Sequence, residues 1–385
     1  MPHFSDARIT RIQVQGYRSL EKVTVHLTPL IVLVGPNGSG KSSFADVFVF
    51  LQQCLLVSPE AAMEERGGTT QLKTRTGFRL DTLSIDIDLE SRAPGLFRGN
   101  YFVEFNMRGR RFSITKETCA MVLSGENTPF SYKVERGRWQ ESSIGVRPTL
   151  APNRLALPLL SGTKPFAPMY QMLTETICYD LALNSLRRPQ DDLTPGRLAA
   201  DGSNAAILLK QIQAESPETA ERVFAVMQRI MPNIQKIQAK RSGQQWTIEV
   251  TEEFSRGREI NLEAISLSEG TLRLLGLLLA LYALTPPSLL IMEEPEATLH
   301  PGAAAVLADV LQEAALRTQI LITTHSPDLL AQFPVDSLRA VERIEGVTTI
   351  GPIASQQRQA VEKRLFTAGD IHRLEGLQPE TNSIA

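Results

Sequence analysis

Two kinds of apolar pattern alternate along the chain. Residues 8–14, 22–27, 83–89, 101–107 and 111–115 place apolar side chains at about every second position. A period of two predicts strands with one buried face, able to pair at an edge or in a second sheet. Residues 30–34, 288–292 and 320–323 are instead short, nearly unbroken apolar runs. Such runs predict strands buried on both faces. A largely apolar helix is expected over 43–51, just after the first of these runs. Leu159, Leu160, Met169, Met172, Leu173, Ile177 and Leu181 fall on successive helical turns, and stronger helical patterns cover 204–213 and 220–231. The most apolar stretch, 272–284, carries Arg273 and meets Pro286 and Pro287. It is too short to cross a bilayer and predicts a core helix feeding the 288–292 strand. Alternation returns at Trp246, Ile248, Val250 and Phe254, and 256–262 reads as a loop or short strand. The turn-rich, charged stretch 58–76 is expected to be mobile.

The order of these patterns predicts one composite head. Residues 1–145 form most of an N-terminal lobe, 150–240 a helical insertion, 245–369 a further motif-bearing region, and 370–385 a fraying tail. Pro152, Pro158, Pro165, Pro168, Pro189 and Pro195 interrupt the helical section. It lacks the long heptads of an extended coiled-coil arm, and the chain has no CxxC hook.

Candidate chemistry sits at the ends of the buried runs. After 30–34 come Gly35, Pro36, Asn37, Gly38, Ser39, Gly40, Lys41 and Ser42, then Ser43 at the start of the helix. Glycines let backbone N–H groups curve around phosphates, Lys41 brings a counter-charge, and Ser42 offers a hydroxyl to Mg2+. The 288–292 run delivers Glu293 and Glu294. Two adjacent carboxylates beside a polyphosphate need separate tasks, so Glu293 is assigned to Mg2+ and Glu294 to activating water. The 320–323 run delivers Thr324, His325 and Ser326. A neutral imidazole at that place donates to a γ-phosphate and reports its presence. Glu296 and His300 read as turn residues. Ser268, before an apolar helix, reads as its N-cap. Tyr17 either stacks on a base or packs the first sheet. Arg108, Arg110, Arg111, Arg136 and Arg138 read first as solvated hairpin tips and second as phosphate contacts.

Composition narrows the classes. The 385 residues carry 40 Lys+Arg against 42 Asp+Glu, a formal charge of −2. A globally basic nucleic-acid binder is excluded, whereas a local basic patch is not. Cys54, Cys119 and Cys178 are too widely spaced for a metal motif or a disulfide framework. The N-terminus has no basic region followed by a secretory apolar core. A reducing cytoplasm, with no membrane anchor, is the expected setting.

Together these residues resemble the ABC-type ATPase heads of the RecF, SMC and OLD-like group. The resemblance rests on 12–20 and 32–42 at the start, Leu267 to Leu272 (Leu-Ser-Glu-Gly-Thr-Leu), Leu290 to Glu296, Leu299 to Pro301, and Thr323 to Pro327. It frames nearly the whole chain, but 55–255 carries little that matches. It implies an α/β P-loop NTPase with a mixed central sheet, an N-terminal antiparallel sheet and a helical lobe. It implies ATP and Mg2+ as cofactors, catalysis by Lys41, Glu294 and His325, and a homodimer or higher homo-oligomer. In that dimer Ser268 and Gly270 act on the partner's ATP. It further implies association with DNA in repair or anti-phage defence, with a separate nuclease or toxin effector. The chain after His325 is too short for a full additional nuclease domain. Two departures stand out: Glu293 occupies a position where the group usually has aspartate, and the signature lacks the second glycine of many transporter ATPases. The alternatives are a transporter ATPase subunit and an ATP-binding scaffold with slow turnover.

Overall fold

The computed structural model describes residues 7–380 apart from 75–80, 92–95, 110, 127, 152, 193–194, 255–256 and 298. The chain forms two compact units, Met1–Thr176 with Pro334–Ala385, and Ile177–Phe333.

The first unit begins with β1 (Ala7–Tyr17), β2 (Leu20–His26), β3 (Leu30–Val34), α1 (Lys41–Leu56), α2 (Pro59–Glu65) and α3 (Thr69–Leu72). There follow β4 (Thr82–Ser91), β5 (Phe97–Arg108), β6 (Arg111–Leu123), β7 (Phe130–Glu135), β8 (Arg138–Ser142), α4 (Leu157–Leu160) and α5 (Ala167–Thr174). Among the described residues seven strands pair antiparallel in the order β2-β1-β4-β5-β6-β7-β8. The alternation explains why one face is covered. Tyr101, Val103, Phe105 and Met107 are buried, while Phe102, Glu104 and Asn106 between them are not. Helix α1 lies on that face, with the Phe50 ring 5.5 Å from Tyr17 and 6.0 Å from Phe105. Burying one such aromatic contributes about 1.5–3 kcal/mol.

A carboxylate interrupts this apolar layer. Glu117 is 0% exposed and accepts from Tyr101 at 3.1 Å, Tyr132 at 2.8 Å, and the amides of Ala156 at 2.6 Å and Leu157 at 3.0 Å. These donors replace the water it has lost and tie the segment before α4 to the sheet.

Two expectations in this part of the unit are corrected. The stretch expected to be mobile holds α2 and α3. Pro59 starts α2 behind Ser58, whose hydroxyl accepts from the Ala61 amide at 3.1 Å, and Arg66 then bonds to Asp46 of α1 at 2.6 Å. Residues 75 and 76 lie outside the described set. The helical spacing through Ile177 and Leu181 also stops short. Helix α5 ends at Thr174, and Gln52 of α1 captures the carbonyls of Thr174 at 2.7 Å and Thr176 at 2.5 Å. The chain then continues as β9 (Thr176–Tyr179).

The second unit contains α6 (Leu183–Arg187), α7 (Ala205–Glu215), α8 (Pro217–Ile230), β10 (Ile234–Ser242), β11 (Gln245–Phe254) and β12 (Arg258–Glu263). It continues with α9 (Glu269–Leu281), β13 (Leu289–Glu293), α10 (Ala304–Ala314), β14 (Gln319–Thr324) and α11 (Pro327–Leu330). Strands β10, β11 and β12 form an antiparallel sheet, and β12 falls in the segment read as a loop or short strand. Strands β13 and β14 run parallel, with Leu289 opposite Gln319 and Glu293 opposite Thr323. Every residue of β14 is buried, as is β13 up to Glu293. That burial matches their unbroken apolar runs. Among the described residues no helix is long and apolar enough to cross a membrane.

The chain closes the first unit with β15 (Leu338–Ile344), β16 (Val347–Gly351), α12 (Ser355–Glu362) and α13 (Ala368–Leu374). Strand β15 is parallel to β3 and antiparallel to β16, so the pairing is mixed. The stretch from 370 was expected to fray. Instead Thr367 and Asp370 form a reciprocal capping box at the start of α13, and the Ala354 amide donates to the Gln378 carbonyl at 2.9 Å. Residues 381–385 lie outside the described set.

Candidate functional site

In the first unit the phosphate loop joins β3 to α1. Gly35 and Ser39 are buried, whereas Pro36, Asn37, Gly38 and Ser42 are exposed. Two glycines are required by space. A Cβ on Gly35 would lie 2.1 Å from the Val341 carbonyl oxygen. One on Gly40 would lie 2.3 Å from the Thr348 hydroxyl, and Gly40 has φ 113°, where side chains are strained. Lys41 is 6% exposed, and its ammonium donates to the carbonyls of Gly35 at 2.7 Å and Pro36 at 3.1 Å. No side chain caps α1, so the amides of its first turn depend on other acceptors. The Ser39 hydroxyl is buried and has no hydrogen-bond partner among the described residues. An uncapped helix start, an orphan hydroxyl and a near-buried ammonium fit a polyphosphate. The exposed Ser42 hydroxyl at the same helix start suits a Mg2+ ligand.

Sequence reasoning missed the support behind this loop. Thr348 of β16 is 1% exposed and donates through its hydroxyl to the Ser39 carbonyl at 2.7 Å. The same hydroxyl lies 2.8 Å from that of Ser19, and the Thr348 amide donates to the Ser19 carbonyl at 2.9 Å. No local pattern signals this role, because the partner lies 309 residues away.

Tyr17 is settled by burial. It is 0% exposed, and its hydroxyl donates to Asp46 at 2.7 Å, so the ring packs the sheet and is unavailable for stacking. Arg108 and Arg111 are exposed and face each other at the end of the β5–β6 hairpin, and Arg136 and Arg138 flank the β7–β8 turn. Arg110 lies outside the described residues.

In the second unit β13 and β14 end side by side. Glu293 is exposed and Glu294 half-buried. Glu294 has φ 46°, an unusual conformation for a residue with a side chain. Its amide is held by the Thr323 carbonyl at 2.9 Å. His325 Nδ1 lies 3.1 Å from a Glu294 carboxylate oxygen, so the parallel register brings together two residues singled out separately. Glu296 accepts from the Thr324 hydroxyl. Burial pushes its carboxyl above the usual range, opposed by that hydrogen bond. Glu296 is thus a partly buried turn anchor. His300 is exposed and accepts from the Gly302 amide at 3.1 Å through Nδ1, within its own turn.

A cavity of about 450 Å³ borders the acidic pair, with Asp180, Arg273, Glu293 and Glu294 in its wall. Ser268 is exposed at the start of α9, and its hydroxyl accepts from the Thr271 amide at 3.1 Å. It therefore does cap the helix. Gly270 sits in the first turn, beside the ion pair of Glu269 with Arg273 at 3.1 Å. Among the described residues no group of three or more His, Cys, Asp or Glu side chains is placed to hold a metal by itself.

Comparison with known proteins adds two family models. One, described as an AAA ATPase domain, matches residues 8–89. The other, described as an AAA domain, putative AbiEii toxin, Type IV TA system, matches residues 181–331. No curated protein matches the chain. Among solved structures, an SMC head bound to the C-winged helix domain of ScpA aligns with TM-score 0.54 and 13% identity, covering 91% of this chain and 99% of that one. An SMC head with an extended coiled coil, bound to the C-terminal domain of ScpA and derived from Pyrococcus furiosus, gives TM-score 0.54 and 11% identity, covering 93% and 99%. At such identities the likeness concerns the fold. Two AAA ATPase models match separate segments, and over nine-tenths of its sequence the chain has the fold of an SMC-type ATPase head.

Proposed function

We propose that this chain binds and hydrolyses ATP with Mg2+, and that two copies cooperate in doing so. The geometry of the phosphate loop carries this reading: an uncapped start of α1, an orphan Ser39 hydroxyl and Lys41 beneath the loop. Backbone amides of 38–42 hold phosphate oxygens, Lys41 offsets their charge, and Ser43 continues the first turn. Ser42 and Glu293 are the assigned metal ligands. A Mg2+ ion held there would neutralise phosphate charge. Glu294 orients and deprotonates the attacking water, and His325, with Nδ1 3.1 Å from a Glu294 carboxylate oxygen, positions that carboxylate. Ser268 and Gly270, at the N-terminus of α9, serve the nucleotide of the second copy.

The family described as a putative AbiEii toxin, and SMC heads that bind ScpA domains, support the further reading of a head working with a separate protein effector. DNA repair or anti-phage defence in the cytoplasm is the setting proposed for it. A second reading, slow turnover in an ATP-binding scaffold, draws on Glu293, whose longer stem moves its carboxylate from where aspartate would hold it.

Two substitutions test the main reading. Lys41→Ala should weaken Mg-ATP binding at least about tenfold, because a buried counter-charge is lost. Glu294→Gln should keep binding and lose phosphate release by roughly a hundredfold or more. Equal ATP affinity in wild type and K41A would remove the phosphate loop from the reading. Wild-type turnover in E294Q would move the water-activating role elsewhere. Negligible phosphate release from the wild-type protein, with ATP held, would favour the scaffold.

A further inference from the structure

We propose that a pocket at a break in the sheet of β10, β11 and β12 docks an acidic segment of a protein partner. A partner carboxylate sits on Arg187 and Arg188, and a neighbouring apolar side chain covers Ile265. The proposal goes beyond the ATP reading and does not depend on it.

The break lies along β11. Glu249 stands opposite Glu263, the last residue of β12. Three residues earlier, Trp246 pairs on that side with Gln190, each amide donating to the other's carbonyl at 2.8 Å, while Arg241 of β10 takes the other side. Thr247 lies between the two pairings. A pocket of about 520 Å³ opens here, walled by Arg187, Arg188, Pro189, Thr247, Glu263 and Ile265, all in the second unit. That volume falls among the roughly 300–1,000 Å³ of pockets that enclose a ligand.

The two arginines are under-used. A guanidinium carries five N–H donors. Arg188 is exposed and has no hydrogen bond or ion pair among the described residues. Arg187 donates to the Leu267 carbonyl at 3.3 Å, and its Nε is buried without a partner. Turning Arg187 toward an arriving anion therefore gives up one long hydrogen bond. Glu263, in the same wall, is held by Lys240 at 3.2 Å and leaves the arginines their charge. A carboxylate matches a guanidinium with two parallel bonds, and arginine clusters commonly read acidic motifs.

The wall favours a protein segment over nucleic acid. Binding of a phosphate chain grows with the number of cations it meets, and here two arginines stand beside a carboxylate. Pro189 is exposed and Ile265 is 68% exposed, so apolar surface adjoins the charge. A phosphate backbone has nothing to bury there, whereas a leucine or valine next to an acidic residue does.

The test uses the full chain without nucleotide and follows the fluorescence anisotropy of a fluorescein-labelled, amidated peptide, Leu-Glu-Leu-Glu-Leu. Its counterpart Leu-Gln-Leu-Gln-Leu keeps the shape and apolar content. Wild type should bind the acidic peptide at least about tenfold more tightly, the size of one charge-assisted pair. Arg188→Glu should abolish that preference. Arg188→Ala, which adds no new charge, should reduce it in the same direction. Ile265→Ser should weaken the acidic peptide about fivefold. Equal binding of the two peptides by wild type, or a wild-type preference in R188E, overturns the assignment. Tighter binding of a labelled thymidine dodecanucleotide than of the acidic peptide, lost in R188E, would give the pocket to nucleic acid and overturns it equally. Because the measurement needs no ATP, the two readings fail separately: if K41A binds ATP as wild type does, only the phosphate-loop reading falls.

Discussion

Thr348→Val offers a direct measure of how far a distant strand maintains the phosphate loop. The change keeps the branched shape and removes the hydroxyl. The Ser39 carbonyl then loses a donor at 2.7 Å, and the Ser19 hydroxyl loses a neighbour at 2.8 Å. Thr348 is 1% exposed and Ser39 2%, so water does not readily replace the bond. A buried acceptor left unsatisfied costs about 1–3 kcal/mol. That energy has two outlets. If the loop keeps its shape, the whole term appears as lost folding stability. If the loop relaxes to find another donor, its amides leave the arrangement that suits phosphate, and the term appears as lost ATP affinity. At about 1.4 kcal/mol per factor of ten, the second outlet predicts roughly a five- to hundredfold rise in Kd. Calorimetric titration with Mg-ATP, run beside thermal unfolding, separates the outlets. Thr348→Ser keeps the donor and should recover most of the loss. A T348V protein with wild-type affinity and wild-type stability would refute the reasoning. A loss in T348S as large as that in T348V would show that the hydroxyl alone does not carry the effect.

Shared sites between two copies predict complementation: K41A and Ser268→Arg should each be weak alone, and their mixture should recover part of the ATPase rate. Absence of recovery in a verified heterodimer, with no Mg-ATP-dependent cross-links between the 268 segment and the partner's 35–43 loop, would count against composite sites. Glu117→Gln should lower stability by about 2–4 kcal/mol, because an amide nitrogen would face one of four donors and leave it unpaired in a dry layer. Denaturant unfolding checks this, and an unchanged midpoint would show that the surrounding donors find other acceptors.

The phosphate loop was legible because its chemistry is local. A loop of glycines after a buried run, followed by Lys-Ser and a helix, is built from neighbours in sequence, and its backbone geometry follows from those residues. The buried strands and their acidic and histidine ends were legible for the same reason: an unbroken apolar run reports burial on both faces. The cap formed by Ser268 likewise depends on the next three residues. The contact between Glu294 and His325 was not legible, because it arises from the parallel register of β13 and β14, in which Glu293 stands opposite Thr323. The end of α5 was misread because spacing alone favoured more helix, while Gln52 on another helix drew two carbonyls away from it. The sequence leaves Tyr17 ambiguous, and the fold decides it, because its buried hydroxyl donates to Asp46. Thr348 left no trace in the pattern at all. A side chain acting across 309 residues is specified by the fold, because hydrogen-bond energy depends on distances that only the folded chain sets.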